Sequence, residues 1–509
     1  MQNRTNYEKT LGGNLLKILC PLISAILTWL AFRNENLGIL SLISMVPFFA
    51  YIEKNGRYAN SVLLFQFFYH FLLLTWLFQL CPLTMLNLNK GQSYCVIIVL
   101  ILLISLLISI IFTLPFKITE KVIKNYWTFI FMFTFSEWLI GVIGKISFPW
   151  GRIGTILYGY PNLLHISTIL GSLGMTVFIL LSNVFLTKGV YFKKIYLLAW
   201  VFLITINFLW GTVSIDMSDN NEKINDQDTL RVSILQGGIA REKKWKSSKL
   251  KNINKYLRMA EEASNTSDLI VFPETAIPIK ILDNENYLNR FIDITNKKKC
   301  TLIVGAFEKK DENKYNVLYG INPDGTITQP HCKGKLVPFG EYMPFSQALS
   351  KKILNKSCNT LISEESAILD TSVGKIAGLI CYESVFPNIA RELLGKEKGQ
   401  LLVISSNDSW FKNSPALSQH LGHNVMRSVE NGRFCVIAGN TGISAIVDIN
   451  GRIKNRLPIE VEDALWGKCT LTDRRTIYSY IGDIIVLPGL LMIILPFYLN
   501  FIEKNYKKC

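Results

Sequence analysis

Three side chains that could share one chemical task stand far apart in the sequence, each beside a short apolar run. Glu274 follows LIVFP, Lys333 precedes LVPFGE and Cys381 follows IAGLI. A cysteine becomes a nucleophile when a base takes its proton, and a carboxylate can be that base when burial raises its pKa. A lysine beside them can stabilise an oxyanion. These residue types are sufficient for nucleophilic catalysis by a thiol, although a lone cysteine is more often a core residue.

The apolar runs beside these residues belong to a segment in which strand and helix patterns alternate. Strands are predicted over 230–235, 269–272, 301–306, 376–380, 401–405, 435–438 and 444–448. Helices are predicted over 248–263, 285–297 and 418–431, and hairpin turns at 322–325 and 450–451. This order is typical of an α/β layered domain, in which ligand-facing residues gather at strand ends. The positions favour a shared site, but the spacing alone leaves open whether the three candidates meet.

The rest of the chain is dominated by long apolar stretches. Half of the 509 residues are hydrophobic and only 18% are charged, which is low for a soluble protein. Most of the stretches approach or exceed the roughly 18 apolar residues that indicate a membrane-spanning helix. Eight spans are predicted, over 15–32, 37–52, 62–80, 95–116, 126–146, 164–186, 195–213 and 481–501.

The distribution of lysine and arginine predicts the orientation of these spans. Basic residues concentrate in the loops that lie on the same side as the N-terminus, which places that side in the cytoplasm. The α/β domain then lies outside the cell inner (cytoplasmic) membrane. Part of the formal net charge of +16 follows from this topology, so nucleic acid is not needed as a partner. The predicted domains are a seven-helix membrane domain over 1–213, a linker over 214–228, a catalytic domain over 229–479, and a final span with a cytoplasmic tail over 480–509.

The strings around the candidate residues resemble a known superfamily. VFPET, KGKLVPFGEYMPF, ICYES and NDSWF occur in the order typical of nitrilases, the carbon–nitrogen hydrolases. Seven spans before such a domain and one after it resemble the apolipoprotein N-acyltransferase family in particular. The resemblance implies a multi-pass helical membrane domain of eight transmembrane helices joined to a nitrilase-like α-β-β-α sandwich with a Glu–Lys–Cys triad.

The resemblance also implies a role for individual residues. Glu274 would be the general base, Cys381 the nucleophile and Lys333 the oxyanion stabiliser, with Lys335 as the competing lysine. Glu341 would support the lysine, and a capping or salt-bridge role stays open for it. The residues expected to contact substrate are Trp245, Tyr382, Glu383 and Trp410.

The activity implied by the resemblance is a two-step transfer of a fatty acyl chain. A phospholipid, taken to be phosphatidylethanolamine, donates the chain to Cys381, and the α-amino group of a diacylglyceryl-cysteine on an apolipoprotein accepts it. The enzyme would act as a monomer in the bilayer, without a metal or another cofactor. The alternatives are a membrane-anchored amidase that acts on a soluble substrate, and a transporter or scaffold with an inactive outer domain.

Several features of the sequence stay undecided. The ten cysteines form no CxxC pair, and their disulfide state is open. His420 and His423 have HxxH spacing without an evident third ligand, which favours a structural pair. Glu137, inside a predicted span, could be functional or could hydrogen-bond between helices. Lys412 and Ile437 depart from residues common in the family, glycine and arginine, and altered loop packing or lipid preference is expected there.

Overall fold

The computed structural model describes most of the chain and divides it into two compact units. The described residues are 2–56, 58–83, 86–120, 125–224, 229–240, 249–310, 313–338, 340–342, 361, 363–364 and 367–506. The first unit comprises Met1–Gly211 and Asp483–Cys509, and the second comprises Thr212–Gly482. The linker predicted over 214–228 is helical as far as Ile224.

The first unit is built from helices. In the described residues its long helices are α1 (Gln2–Ala31), α2 (Val46–Asn55), α3 (Tyr58–Leu73), α4 (Lys90–Ile118), α5 (Tyr126–Val142), α6 (Ser167–Tyr191), α7 (Ile195–Ile224) and a C-terminal helix (Leu487–Tyr506). Two 3₁₀ segments, Glu35–Leu42 and Leu74–Leu80, accompany α2 and α3. The start of α4 is fixed locally, because Asn89 accepts from the Gln92 amide at 2.9 Å while the Gln92 side chain accepts from the Asn89 amide at 3.0 Å.

Five segments in the described residues are long and apolar enough to cross a membrane. They are Glu35–Glu53, Tyr58–Leu80, Lys90–Ile118, Ser167–Tyr191 and Ile195–Asn220. Three shorter apolar helices cover Leu15–Ala31, Tyr126–Val142 and Ile484–Leu495. Each predicted span overlaps one of these segments. The number of eight crossings stays a prediction.

Glu137 in α5 is buried and bonded to two other segments. Its Oε1 atom accepts from the Ile153 amide at 2.7 Å, and its Oε2 atom accepts from Thr176 Oγ1 of α6 at 2.6 Å. The sequence left open whether Glu137 is functional or forms hydrogen bonds between helices. The structure shows hydrogen bonds between helical segments.

The second unit contains two sheets. The strands of the described residues are β1 (Thr229–Gln236), β2 (Leu269–Val271), β3 (Ile277–Lys280), β4 (Thr301–Lys310), β5 (Asn313–Ile321), β6 (His331–Cys332), β7 (Ile368–Thr371), β8 (Gly374–Ile380), β9 (Leu401–Ser406), β10 (Cys435–Gly439), β11 (Ala445–Val447), β12 (Ile453–Arg456) and β13 (Asp463–Thr470). One sheet has the order β13-β1-β2-β4-β5-β6, with β3 paired to β4, and the other has the order β12-β11-β10-β9-β8-β7. The pairs β1–β2, β2–β4, β8–β9 and β9–β10 are parallel. The carboxyl ends of neighbouring parallel strands consequently lie at the same edge of each sheet.

Successive side chains along a strand point to opposite faces of its sheet, so one set packs between the two sheets and the other packs against helices. Leu269 and Val271 of β2 share an apolar cluster with Leu401 and Val403 of β9, which lie in the other sheet. The intervening Ile270 packs in a second cluster with helices α8 (Lys249–Ala263) and α9 (Glu285–Lys298). Helix α10 (Pro415–Asn431) packs beside β10 of the second sheet. The result is the layered α-β-β-α arrangement expected from the sequence.

The strands that lead to Glu274 and Cys381 were predicted within one or two residues, whereas β6, which leads to Lys333, and several pairing strands were missed. The predicted strands 269–272 and 376–380 correspond to β2 and β8. The helix predicted from residue 418 begins at Pro415, since Pro is well placed in the first turn of a helix. The missed strands are β3, β5, β6, β7, β12 and β13.

Candidate active site

Glu274 lies just beyond the carboxyl end of β2 and is surrounded by hydrogen-bond donors. Its Oε1 atom accepts from Lys333 Nζ at 2.9 Å and from Asn316 Nδ2 at 2.7 Å, and its Oε2 atom accepts from the Asn407 amide at 2.9 Å. The residue is 5% exposed. Three donors hold the carboxylate in one orientation, as a base that must meet a defined proton requires.

Lys333 follows the short strand β6 and bridges two carboxylates. Its Nζ atom donates to Glu274 and, at 2.7 Å, to Glu341 Oε1. Its own amide is tied to the Asn316 carbonyl at 2.9 Å, which fixes the residue beside β5. Burial lowers the pKa of the lysine, but the charges of Glu274 and Glu341 outweigh burial and raise that pKa well above its usual value. Lys333 is therefore a buried ammonium ion whose charge is held by its partners.

Glu341 is the second acidic partner of this lysine. Its Oε2 atom accepts from the Val337 amide at 2.8 Å. Burial raises its pKa against the opposing charge of Lys333. The competing lysine from the sequence, Lys335, lies instead with its Nζ atom 5.3 Å from the centre of the Phe386 ring. The hydrogen bonds to the two acids thus come from Lys333, rather than from Lys335.

Cys381 follows β8 directly and starts the 3₁₀ turn Cys381–Val385. Its φ of +52° lies in the left-handed region, which is strained for a residue with a side chain. Burial and the charge of Glu274 raise the pKa of the thiol well above its usual value, while Lys333 and a hydrogen bond from Ser406 act in the opposite direction. The charges of Glu274 and Lys333 thus both act on the pKa of the Cys381 thiol. Because its thiol is neutral at rest, Cys381 needs a base when it reacts.

Glu383 links two segments of the site through its carboxylate. The predicted contact of this residue with substrate stays a prediction, and its side chain is fully buried. Its Oε2 atom accepts from the Ile380 amide at 2.7 Å and from His331 Nε2 at 3.0 Å, and its Oε1 atom accepts from the Gly334 amide at 2.6 Å. Burial opposes its ionisation, yet the His331 ring and the two amides lower its pKa. Glu383 ties the end of β8 to the loop that carries Lys333, which is a positioning role.

The other residues predicted to contact substrate have different environments. Tyr382 is buried, and its ring packs edge-on against Phe386 with centroids 5.2 Å apart. Trp410 is 38% exposed after β9, where it could contact lipid, and that role stays a prediction. Trp245 lies outside the described residues. The departure at Lys412 falls at a φ of +44°, a conformation that glycine adopts without strain. Ile437 is buried within β10.

Sequence reasoning gave no role to several polar residues that surround the three candidates. Asn316 and the Asn407 amide donate to Glu274, and the Ser406 side chain lowers the pKa of the Cys381 thiol. Asn407 follows β9 as Cys381 follows β8, so the same strand-end criterion could have found it. Asn316 lies inside β5, where one polar residue in an apolar strand is the available signal.

The questions about cysteines and metal ions have partial answers. Cys300, Cys332, Cys435 and Cys469 of the second unit are free thiols. His420 pairs with Asp408, with Nδ1 and Oδ1 3.1 Å apart. In the part of the chain that the structure describes, no group of three or more His, Cys, Asp or Glu side chains is arranged to hold a metal ion.

Comparison with known proteins matches both units. The carbon–nitrogen hydrolase family matches residues 231–477, and the family described as the apolipoprotein N-acyltransferase N-terminal domain matches residues 24–185. The apolipoprotein N-acyltransferase of Geobacter metallireducens is 32% identical over 358 residues, which cover 66% of this chain and 67% of that protein. The proteins of the same name from Wigglesworthia glossinidia brevipalpis and Brucella melitensis are 29% and 30% identical, and the aligned parts cover 74% and 68% of their lengths.

The second unit is thus a nitrilase-type carbon–nitrogen hydrolase domain, whose sheets place a buried carboxylate, an ammonium ion and a thiol at neighbouring strand ends. The N-terminal match and the relatives narrow this class further. The chain belongs to the apolipoprotein N-acyltransferase family, a family of acyltransferases.

Proposed function

We propose that this protein transfers a fatty acyl chain from a phospholipid to the N-terminal amine of diacylglyceryl apolipoproteins, through a thioester on Cys381. The observation that carries the proposal is the buried contact of Lys333 with Glu274 and Glu341, whose charges act on a neutral thiol. The membership of the family supplies the class of substrates.

In the first step, Glu274 accepts the thiol proton as the sulfur of Cys381 attacks the ester carbonyl of the donor. Lys333 stabilises the negative charge that develops on the carbonyl oxygen. Collapse of the tetrahedral intermediate breaks the bond to the glycerol oxygen, which takes the proton back from Glu274. The products of this step are a lysophospholipid and the acyl thioester of Cys381.

In the second step, the α-amino group of the apolipoprotein attacks the thioester. Glu274 accepts a proton from the amine, and the departing sulfur of Cys381 recovers it, so the enzyme returns to its starting state. An α-amino group has a reference pKa of about 7.7–8.0, so a useful fraction is neutral and nucleophilic near pH 7.5. Phosphatidylethanolamine is the proposed donor, and the enzyme is proposed to work as a monomer.

Both substrates carry lipid tails, so the proposed site faces the bilayer. We place the protein in the inner membrane with eight crossings, and its catalytic domain, 229–479, on the extracytoplasmic side. The excess of Lys and Arg in the loops on the side of the N-terminus supports this orientation. Glu383 would align the Cys381 turn with the Lys333 loop, and Trp410 and Tyr382 would contact the substrates.

The test is an assay of purified full-length protein with labelled phosphatidylethanolamine and a synthetic diacylglyceryl peptide. We expect lysophospholipid release and peptide acylation in equal amounts, and neither product from the Cys381→Ala variant. A matched incubation replaces the lipids with small soluble amides. Hydrolysis of those amides without lysophospholipid release would overturn the proposal in favour of an amidase.

A further inference from the structure

The backbone of Cys381 is held from behind by a cluster of polar side chains. Its carbonyl oxygen accepts from Ser384 Oγ at 3.0 Å and lies 3.3 Å from His420 Nε2. Ser384 Oγ and His420 Nε2 are themselves 3.0 Å apart. A left-handed non-glycine residue persists only where its surroundings enforce that conformation. These contacts therefore bear directly on how the proposed nucleophile is presented.

The other side of the His420 ring is anchored to a carboxylate. Nδ1 lies 3.1 Å from Asp408 Oδ1, which also accepts from Ser406 Oγ at 2.6 Å. Both members of the pair are at least nine-tenths buried. His420 projects from α10, whereas Asp408 follows β9, so the ring links the covering helix to the strand-end loop.

The partners of the two ring nitrogens are suited to a doubly protonated ring. An ionised carboxylate can only accept, so Nδ1 carries a proton. When the Ser384 hydroxyl donates to the Cys381 carbonyl, its oxygen and that carbonyl both face Nε2 as acceptors, and a proton on Nε2 satisfies them. A ring protonated at both nitrogens is an imidazolium ion.

We propose that His420, as an imidazolium ion anchored by Asp408, is a positioning residue that holds the Cys381 carbonyl and so keeps the thiol aimed at Glu274 and Lys333. Because a peptide group is planar, the same contacts fix the direction of the Tyr382 N–H. The proposal rests on the proposed function, since it assigns to His420 a part in presenting that function's nucleophile.

The electrostatic surroundings of the ring agree with this assignment. Burial lowers the pKa of His420, but the charge and hydrogen bond of Asp408, the Cys381 carbonyl and the charge of Glu274 raise it above its usual value. Lys333 acts on Asp408 and helps to keep that carboxylate ionised. The Phe411 ring packs against the imidazole in a T-shaped arrangement, with the two ring centres 6.3 Å apart.

The test compares His420→Gln with the matched variant His423→Gln, in which the same change is made one turn further along α10. Each full-length protein is incubated with iodoacetamide, and alkylation of Cys381 is followed by mass spectrometry. The rate of thioester formation with phosphatidylethanolamine is measured in a single turnover, and Tm is recorded. We expect His420→Gln to slow both reactions of the folded protein by about tenfold or more, as loss of a buried charged hydrogen bond would, and His423→Gln to stay within about twofold of the wild type.

Two outcomes would overturn the positioning role. One is a folded His420→Gln protein that alkylates and acylates at wild-type rates. The other is an equal slowing of alkylation and thioester formation in His420→Gln and His423→Gln that is explained by a lowered Tm in both. If His420→Gln does not fold, Asp408→Asn removes the charge that anchors the imidazolium ion, and unchanged Cys381 reactivity in that variant would refute the proposal. A wild type that shows His420-dependent alkylation but forms no thioester would instead contradict the proposed function and leave the positioning role intact.

Discussion

Lys333→Met removes the charge at the centre of the proposed site while keeping a long apolar side chain. In the wild type, the Nζ atom of this lysine lies 2.9 Å from Glu274 Oε1 and 2.7 Å from Glu341 Oε1, and the side chain is 1% exposed. The variant leaves two buried carboxylates close together without a cation between them. It therefore removes the proposed oxyanion stabiliser and also destabilises the fold.

The size of both effects can be worked out from this geometry. Breaking a buried ion pair by removing one partner costs about 3–5 kcal/mol. For a domain of about 250 residues, about 2–4 °C of Tm is lost per kcal/mol, so Tm should fall by on the order of 10 °C. The loss of a group that stabilises an oxyanion slows turnover by about 10²–10³-fold.

The control is Lys335→Met, which removes the neighbouring lysine. Its ammonium group contacts the Phe386 ring at 5.3 Å, an interaction of about 0.5–1 kcal/mol, so Tm and lysophospholipid release should change little. The double variant Lys333→Met/Glu341→Gln removes one carboxylate as well and should recover part of the lost Tm without recovering activity. Loss of activity in Lys335→Met with near-normal turnover in Lys333→Met would refute the reasoning.

Three further predictions follow from the contacts around the site. Glu383→Gln should lower Tm and kcat, because one of the buried donors to this carboxylate, the His331 ring or the Gly334 or Ile380 amide, loses its acceptor. The KM for phospholipid should stay unchanged, because no substrate contact is lost. A raised KM with a normal Tm would instead favour the predicted contact of Glu383 with substrate. Asn316→Leu should reduce kcat by about tenfold by freeing Glu274, and unchanged kcat would show that this hydrogen bond is dispensable. The pKa of His420 is raised on folding, so its stabilising contribution is complete below the unfolded pKa of 6.5 and is lost as pH rises through the folded pKa. The Tm advantage of the wild type over His420→Gln should therefore be largest at pH 6 and shrink under alkaline conditions, and an advantage that grows with pH would contradict the assignment.

The parts of the fold that were predictable are those buried on both sides. β2 is a short continuous apolar run because its side chains face the other sheet on one side and helices on the other. β8 is also a continuous apolar run, and its Ile376 and Ile380 pack against β2 of the other sheet. β13 was missed because its sequence, DALWGKCT, mixes polar and apolar residues, and its pairing with β1 over Thr229–Gln236 supplies what the pattern lacks. The polar segment after residue 213 was predicted as a linker, yet α7 continues through it to Ile224.

In the candidate site, too, some residues could be predicted from the sequence and others could not. Glu274 and Cys381 could be proposed from sequence because each follows an apolar strand and carries a reactive group, whereas Lys333 was proposed from the LVPFGE string after it, which is not a strand in the described residues. The importance of Asn316 and His420 comes from contacts with residues more than 30 positions away, which no local pattern encodes. The place of Glu383 beside the cysteine suggested a pocket residue, but its position in the sequence could not show that its carboxylate accepts from amides of two segments.

The central claim is that the sulfur of Cys381 carries the acyl chain between the two substrates. The most direct measurement is the intact mass of the purified protein after incubation with phosphatidylethanolamine alone, followed by mapping of the modified peptide. We predict one added acyl group on Cys381 that disappears when a diacylglyceryl peptide is added, and no addition to Cys381→Ala. An unmodified wild-type protein that nevertheless acylates the peptide, or an acyl group found on another residue, would contradict the account.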